Sequence, residues 1–336
     1  MNPTYRALFN NAFTLEKYQQ LNDSITADFN HKITFRVAES PFFISEELKK
    51  QLLEGCQDVI SFIQKDNFKE LTNKALELNR KVPNEDDHTT FLAIDFGICE
   101  ENGEILPKLI EVQGFPSLFN FQGQLSKKIH DLNPFLSELT SFFSGLNQET
   151  YLQLIEEVIC NNFPKENVIL LEIEPEKQNT KIDFYYCKRD IGIPVVCVTE
   201  LIQKGKKLYY TNDKGVEIEV KRIYNRVIFD ELDLRTDLQL NFDFSSEIDV
   251  EWAGHPNWFF RISKFILPYL KGKYFIETTL LSDLKEIPQD LENYVLKPLF
   301  SFSGTGVVFN IQKGDIEAVK EKDLYILQKK VHYKPI

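Results

Sequence analysis

The segment Tyr294 to Phe309, YVLKPLFSFSGTGVVF, constrains the fold more than any other part of the sequence. β-forming residues lead to Lys297, a Ser/Gly-rich loop follows, and β-forming residues return, which predicts a hairpin. The loop carries Ser301, Ser303, Gly304 and Gly306. Its glycines would let backbone N–H groups approach phosphate oxygens, while the hydroxyls and the Lys297 ammonium add donors and charge. The segment therefore predicts a polyphosphate site; the alternative is a hairpin whose glycines only make the turn.

Composition places the chain among ordinary globular proteins. Its 336 residues are 43% hydrophobic and 27% charged, enough for two or three packed lobes. The formal charge of -12 argues against a general nucleic-acid binder. No apolar run reaches membrane-spanning length, and the first residues lack a secretory signal. We therefore expect a cytoplasmic protein with neither a nucleic-acid nor a membrane partner.

The 5 cysteines and 5 histidines are scattered along the chain. No CxxC pair and no His or Cys at ligand spacing occurs, so neither a disulfide framework nor a zinc site is indicated. The cysteines are interpreted as small buried hydrophobic residues.

The order of predicted elements indicates an α/β protein. Helical periodicity spans 44 to 82, with Ser45 as the N-cap, and the runs FLAIDFGI and KLIEV form a hairpin. From Asn167, a strand, a crossover and a second strand, PVVCVTEL, predict a parallel sheet. The hairpin KLYYT and VEIEV follows, then a helix opened by Pro256 and, near the end, the strand LYILQKKV.

Acidic and amide side chains alternate with apolar ones in the first hairpin. Keeping the apolar residues on one face requires odd-numbered positions to oppose odd-numbered ones, whereas a simple Asn-Gly turn sets Asp95 opposite Ile110. We therefore predict a longer loop or a bulge near Pro107. Asp95, Glu111 and Gln113 then share a face and could ligate Mg²⁺ through oxygen atoms. The alternative is a solvated polar face.

Three further sets of residues could serve a nucleotide. Lys264, on the helix after Pro256, would join Lys297 in neutralising phosphate charge. The strand end at Gln328 and Lys329 could present its backbone to an adenine edge. Arg226, on one strand face with Arg222 and Tyr224, could grip a carboxylate or a developing phosphate charge. Each has an ordinary alternative: a solvated lysine, a buried strand with a polar end, or surface ion pairing.

In this order the elements resemble the ATP-grasp nucleotide site, in which one lysine precedes the glycine-rich loop and another lies on the strand entering it. Lys264 and Lys297 match these lysines. The earlier stretch DFGICEENGEILPKLIEVQGFPSLFNFQ is similar to the circularly permuted group that includes glutathionylspermidine synthase. There an Asp and a Glu-x-Asn pair followed by a proline bind metal. The matching residues are Asp95, Glu111, Gln113 and Pro116.

The resemblance covers roughly residues 89 to 336, and three departures stand out. Gln113 replaces the usual Asn, and Ala93 replaces an arginine two positions before the metal Asp. Permuted members also continue beyond the hinge strand, so we expect their closing part to be missing from this sequence. The region from NVILLEIE to KRIYNRVIFDEL resembles the group's Rossmann-like segment, which ends in a tyrosine-arginine motif that includes Arg226.

The resemblance implies a mixed α/β, circularly permuted ATP-grasp fold with a Rossmann-like sublobe. We predict an N-terminal helical region at 1–88, the metal-bearing hairpin with helices at 89–166, the Rossmann-like sublobe at 167–245 and the nucleotide-binding lobe at 246–336.

The implied activity uses ATP and Mg²⁺. The enzyme would activate the carboxylate of a small molecule or short peptide as an acyl phosphate for an amine or thiol, with Arg226 and Lys297 as catalytic residues. A non-catalytic nucleotide-binding or scaffold protein, and a phosphotransferase, are the alternatives. The sequence sets neither the substrates nor the oligomeric state.

Overall fold

The structure, a computed structural model, describes residues 2–78, 81–301 and 304–335. Within these ranges lie eleven α-helices and twelve strands, joined by short 3₁₀ helices. The helices are α1 (Pro3–Ala12), α2 (Leu15–Phe29), α3 (Glu46–Ile63), α4 (Phe68–Leu71), α5 (Asn73–Glu77), α6 (Phe119–Leu132), α7 (Gln148–Cys160), α8 (Lys181–Asp190), α9 (Phe229–Leu234), α10 (Pro256–Arg261) and α11 (Lys313–Ala318). The strands are β1 (Ala93–Glu101), β2 (Glu104–Gln113), β3 (Val168–Glu172), β4 (Val195–Cys197), β5 (Ile202–Lys204), β6 (Lys207–Thr211), β7 (Glu217–Val220), β8 (Arg222–Asn225), β9 (Glu251–Ala253), β10 (Thr278–Leu280), β11 (Tyr294–Pro298) and β12 (Tyr325–Lys329).

The chain forms two compact units, each built from two separate stretches. The first unit comprises residues 1–43 and 116–254, and the second comprises residues 44–115 and 255–336. The four-part division expected from the sequence stays a prediction. No helix in the described part of the chain is both long and apolar enough to cross a membrane.

The first unit contains the predicted parallel sheet. Its strand order is β4-β3-β8-β9, all parallel, and α8 connects β3 to β4. β3, with the sequence VILLE, is buried along its whole length, as expected of a strand covered on both faces. Helices α2, α6 and α8 share an apolar cluster, and the predicted hairpin appears as β6 and β7 in a three-stranded antiparallel sheet. The interpretation of an α/β sublobe is therefore confirmed at the level of sheet topology.

The second unit contains the first hairpin and a small antiparallel sheet. β1 pairs with β2, while β12 lies between β10 and β11. Apolar residues of β11, β12, α11 and the segments next to them form one core, made of Leu281, Leu296, Ile311, Ile316 and Leu327. The predicted N-cap of α3 is present, because the Ser45 hydroxyl accepts a hydrogen bond from the Leu48 N–H at 3.3 Å.

Two sequence-based elements differ from the structure. The return strand expected at 307–309 is wrong: Val308 makes only an isolated bridge to Leu296, with N···O distances of 2.9 and 3.0 Å. The long helix after Pro256 is also wrong, because α10 ends at Arg261 and a separate 3₁₀ helix, Lys264–Tyr269, follows.

The break after α10 has a physical reason. The Ile262 carbonyl accepts a hydrogen bond from Gly114 N–H at 2.8 Å, which ties this point to the residue that follows β2. Ser263 is extended, and its hydroxyl accepts the Phe265 N–H at 3.2 Å, so a new helix begins there. Gly114 is required at the contact, because a Cβ there would lie 2.6 Å from the Trp258 carbonyl oxygen.

A buried ion pair fastens the segment before β1 to α10. The Arg261 guanidinium donates to both Glu85 carboxylate oxygens, at 2.8 and 3.1 Å, and both side chains are largely buried. Burial by itself raises the pKa of Glu85, but hydrogen bonds from Arg261 and Asn257 outweigh it and hold the pKa below its ordinary value. The pair fixes the helix that leads directly to Lys264.

We predict that Glu85→Ala lowers the free energy of unfolding by about 3 kcal/mol, because it leaves the Arg261 charge buried without a carboxylate. Urea unfolding measures this loss. The matched control is Glu217→Ala, which breaks the exposed Lys204–Glu217 pair and should cost less than about 1 kcal/mol. Equal losses in the two variants would contradict the assignment.

Candidate functional site

The first hairpin brings its acidic residues together through a bulge. Asn102 and Gly103 both have positive φ, at 52° and 82°, which suits a two-residue hairpin turn. From this turn the pairing runs regularly to Phe96 opposite Leu109, then shifts by one residue, so that Asp95 opposes Glu111. The need for a bulge is confirmed, but it lies at Ile110 instead of near Pro107, because the tight turn is kept and the extra residue is inserted beside the site.

Glu111 is the centre of this polar face. It accepts a hydrogen bond from the Gln113 amide nitrogen at 2.6 Å and lies 3.2 Å from the Lys264 ammonium. Asp95, its cross-strand neighbour, has a raised pKa, first because surrounding protein partly desolvates it and then because the Glu111 carboxylate is near. The Lys264 charge opposes this rise. Two carboxylates held together in this way favour a nearby cation.

Lys264 reaches the glycine-rich loop as well as the hairpin. The residue is only 7% exposed, and its ammonium donates to the Ser301 carbonyl oxygen at 2.7 Å. The flanking residues Ile262, Phe265 and Ile266 are fully buried, which holds the lysine stem in place. Lys264 therefore links the Glu111 carboxylate of β2 to the start of the loop.

Lys297 lies on β11, opposite Ile326 of β12. Its ammonium donates to the Gln328 amide oxygen at 2.6 Å, and the Gln328 amide nitrogen donates to the Thr278 hydroxyl at 3.2 Å. Thr278 in turn donates to the Ile276 carbonyl at 2.8 Å. Because the hydroxyl proton is used on that carbonyl, its oxygen must accept from Gln328, and this fixes the amide with its oxygen toward Lys297. Gln328 thus positions the lysine.

Burial changes the protonation of Lys297. Desolvation lowers the pKa of its ammonium to about 8, with the nearby Lys264 charge acting in the same direction and Glu111 opposing both. The residue is 8% exposed. A cation held in such surroundings without a full counter-charge is stabilised by any anion that enters.

The loop after β11 has the backbone geometry of a glycine turn. Gly304 and Gly306 have φ of 73° and 74°, in the left-handed region that glycine tolerates. No described atom lies within 4 Å of a Cβ built at Gly304. Ser303 lies outside the described residues, and the Ser301 hydroxyl makes a long 3.5 Å contact with the Pro298 carbonyl.

Part of this set lines one cavity of about 320 Å³ in the second unit, whereas Asp95, Gln113, Ser301 and Gly306 are not among the described residues that line it. Six of its lining residues were predicted from the sequence: Glu111, Lys264, Lys297, Gly304, Gln328 and Lys329. Its apolar wall includes residues that sequence reasoning missed: Ile276, Val307, Phe309, Val331 and Tyr333. Lys264, Lys297 and Glu111 therefore line one partly open cavity that has an apolar side.

Two predicted residues have other partners. The backbone N–H of Lys329 donates to the Glu277 carbonyl at 2.9 Å, and its side chain is 3.8 Å from the Glu277 carboxylate. Arg226 belongs to the first unit, where its guanidinium donates to the carbonyls of Pro116 and Ser117. Their proposed functional roles stay predictions.

The described residues contain no group of three or more His, Cys, Asp and Glu side chains that could hold a metal ion. The set formed by Asp95, Glu111 and Gln113 has two carboxylates and one amide. Mg²⁺ often takes only one or two carboxylates and leaves its other positions to phosphates and water. Burial first and the Glu111 charge second raise the pKa of Asp95, and a cation bound between the two side chains would offset both effects, so these residues fit a hard cation.

Comparison with known proteins defines the class of fold. No family profile matches the chain, and no curated protein matches it by sequence. Among solved structures, a glutathione synthetase-like effector from Globodera pallida, in its apo form, matches with a TM-score of 0.58 at 12% identity. The match covers 96% of this chain and 84% of that one. The chain is a mixed α/β protein with a glutathione synthetase-like fold.

We predict that the Lys297 amine titrates near pH 8. The folded-state pKa is below the ordinary value of 10.5, so the unfolded chain binds more protons between these pH values. The contribution of Lys297 to the free energy of unfolding should therefore rise with pH across this window. NMR of lysine side-chain carbons, assigned with Lys297→Met, measures the titration directly. A midpoint near 10.5 would contradict the burial argument.

Proposed function

We propose that the cavity of the second unit binds ATP with Mg²⁺. The observation that carries this proposal is the convergence of two buried lysines, Lys264 and Lys297, on one cavity that Glu111 and Gly304 also line. A polyphosphate would supply the negative charge that the two lysines lack. Apolar lining residues would accommodate the nucleoside.

Different site residues would contact different parts of the complex of ATP and Mg²⁺. Lys264 and Lys297 would neutralise phosphate oxygens, and the backbone at Gly304 would donate hydrogen bonds to them. Asp95 and Glu111, with the Gln113 amide turned to present its oxygen, would hold Mg²⁺. When bound, this ion would neutralise phosphate charge. Glu111 would then exchange its contact with Lys264 for the cation.

We assign the fold to the circularly permuted ATP-grasp group, since the carboxylate hairpin β1–β2 precedes both lysines and the glycine-rich loop in the chain. The four-part division at 88, 166 and 245 belongs to the same proposal. The glutathione synthetase-like fold supports an ATP-grasp assignment at the coarser level.

The proposed reaction is carboxylate activation. A substrate carboxylate oxygen attacks the γ-phosphorus of ATP, the bond to the β-phosphate oxygen breaks, and ADP leaves with that electron pair. An amine or thiol then attacks the acyl carbon, loses a proton, and expels inorganic phosphate. The protein supplies positioning and electrostatic stabilisation from Lys264, Lys297 and loop amides, and Arg226 is proposed to stabilise developing charge. A small molecule or short peptide is the proposed acceptor.

A non-catalytic nucleotide-binding protein is the second candidate. Arg226 already donates to two backbone carbonyls, and Ala93 faces Gln113 across the hairpin where related enzymes carry an arginine. Both observations favour binding without turnover. Trapping with hydroxylamine separates the candidates, because an acyl phosphate yields a hydroxamate while ADP accumulates. A protein that binds ATP but forms neither product with any carboxylate tested would belong to the second class.

We predict that Lys297→Met weakens ATP binding at least tenfold, because a charge-assisted phosphate contact is lost. Isothermal titration calorimetry measures the affinity. Saturation of the unaltered protein at a hundred times the dissociation constant should also stabilise it by about 2.7 kcal/mol. Lys313→Met, at an exposed lysine of α11, is the control and should bind as the parent does. Equal affinities for the parent and Lys297→Met would refute the site.

We predict that Glu111→Gln reduces the gain in ATP affinity produced by Mg²⁺. In the parent, adding Mg²⁺ should tighten ATP binding, because Asp95 and Glu111 supply carboxylate ligands. With the amide in place of Glu111 one carboxylate is lost, so affinities with Mg²⁺ and with EDTA should lie closer together. An undiminished Mg²⁺ effect in this variant would remove Glu111 from the metal set.

A further inference from the structure

The chain after β12 pairs with the open edge of β1. The Lys334 N–H donates to the Ile98 carbonyl at 2.8 Å, and the Glu100 N–H donates to the His332 carbonyl at 3.2 Å. Cys99 and Tyr333 form an antiparallel bridge, and the Lys334 ammonium lies 2.6 Å from the Glu100 carboxylate. Two backbone hydrogen bonds and an ion pair therefore hold Tyr333 in a defined place.

The position of the Tyr333 ring depends on a glycine inside β1. A Cβ built at Gly97 would lie 2.4 Å from Cε1 of the Tyr333 ring, a distance that real atoms do not reach. The φ angle of Gly97 is not positive, so its backbone conformation does not require glycine. It is needed for space, because the ring packs directly on the strand.

Tyr333 also lines the cavity that contains both buried lysines. The residue remains 62% exposed, so much of its surface is available to be covered by a ligand. Ile110, Ile276 and Val331 contribute apolar surface to the same cavity. A nucleoside triphosphate has the matching chemistry, with an anionic part for the ammonium groups and a flat aromatic base for the ring.

We propose that Tyr333 is a specificity-determining residue whose ring stacks on the base of the bound nucleotide, with Gly97 providing the space that sets the ring position. This inference rests on the proposed function and adds the element that selects a nucleotide over other polyphosphates. Stacking of a base on an aromatic side chain has a substantial energy and needs no hydrogen bond to the base.

The test compares ATP with inorganic tripolyphosphate, which has the anionic part without the base. By calorimetry, Tyr333→Ala should weaken ATP binding roughly tenfold or more and leave tripolyphosphate affinity within about twofold. Tyr333→Phe keeps the ring and should retain ATP affinity. Gly97→Ala should weaken ATP as Tyr333→Ala does, because its methyl displaces the ring. Gly314→Ala, where no atom lies within 4 Å of the added methyl, is its matched control.

The outcomes separate this inference from the proposed function. If the parent binds neither ATP nor tripolyphosphate, the proposed function fails and this inference fails with it. If Tyr333→Ala binds ATP as the parent does, stacking is refuted while nucleotide binding stands. An equal loss of both ligands in Tyr333→Ala also refutes stacking, because the ring then supports the site as a whole. Thermal unfolding of each variant confirms that it is folded.

Discussion

The contact between the Lys264 ammonium and the Glu111 carboxylate is the interaction on which the candidate site depends. It joins the bulged hairpin to the 3₁₀ segment after α10, and the same ammonium extends to the loop at Ser301. The Glu111 charge also raises the pKa of Lys297, whereas burial lowers it. One carboxylate thus stabilises two buried cations in an environment that disfavours charge, which leaves the cavity suited to a further anion.

Sequence patterns identified the elements whose signals are local. The first hairpin, the apolar run of β3 and the Ser45 cap follow from short-range sterics and hydrogen bonding, and each is present. The incorrect predictions concern elements whose ends are determined by contacts with residues far away in the sequence. α10 ends where the Ile262 carbonyl accepts a hydrogen bond from the N–H of Gly114, about 150 residues earlier in the chain. The apolar periodicity of the helix segment cannot indicate that contact.

The candidate site was predictable where chemistry and spacing coincide. Lys264, Lys297 and Glu111 stand out because charged residues within apolar runs need a reason, and all three line one cavity. Thr278 could not be identified from the sequence, because it contributes only by accepting a hydrogen bond from Gln328 on the neighbouring strand. Gly97 did carry a usable signal: a glycine within a strand indicates close approach by another group, and here that group is the Tyr333 ring.

The free-energy cost of burying charged lysines helps to decide between ligand binding and a purely structural role. A fold alone does not determine function, and the similarity to a glutathione synthetase-like effector extends only to architecture. Lys297, by contrast, has a pKa lowered to about 8 because its charge is poorly solvated. Burying a lysine without a full counter-charge has a desolvation cost that an apolar residue there would not have. The buried lysines therefore favour an anionic ligand over a purely structural role. The proposed turnover would also use Arg226, whose guanidinium donates to the backbone carbonyls of Pro116 and Ser117.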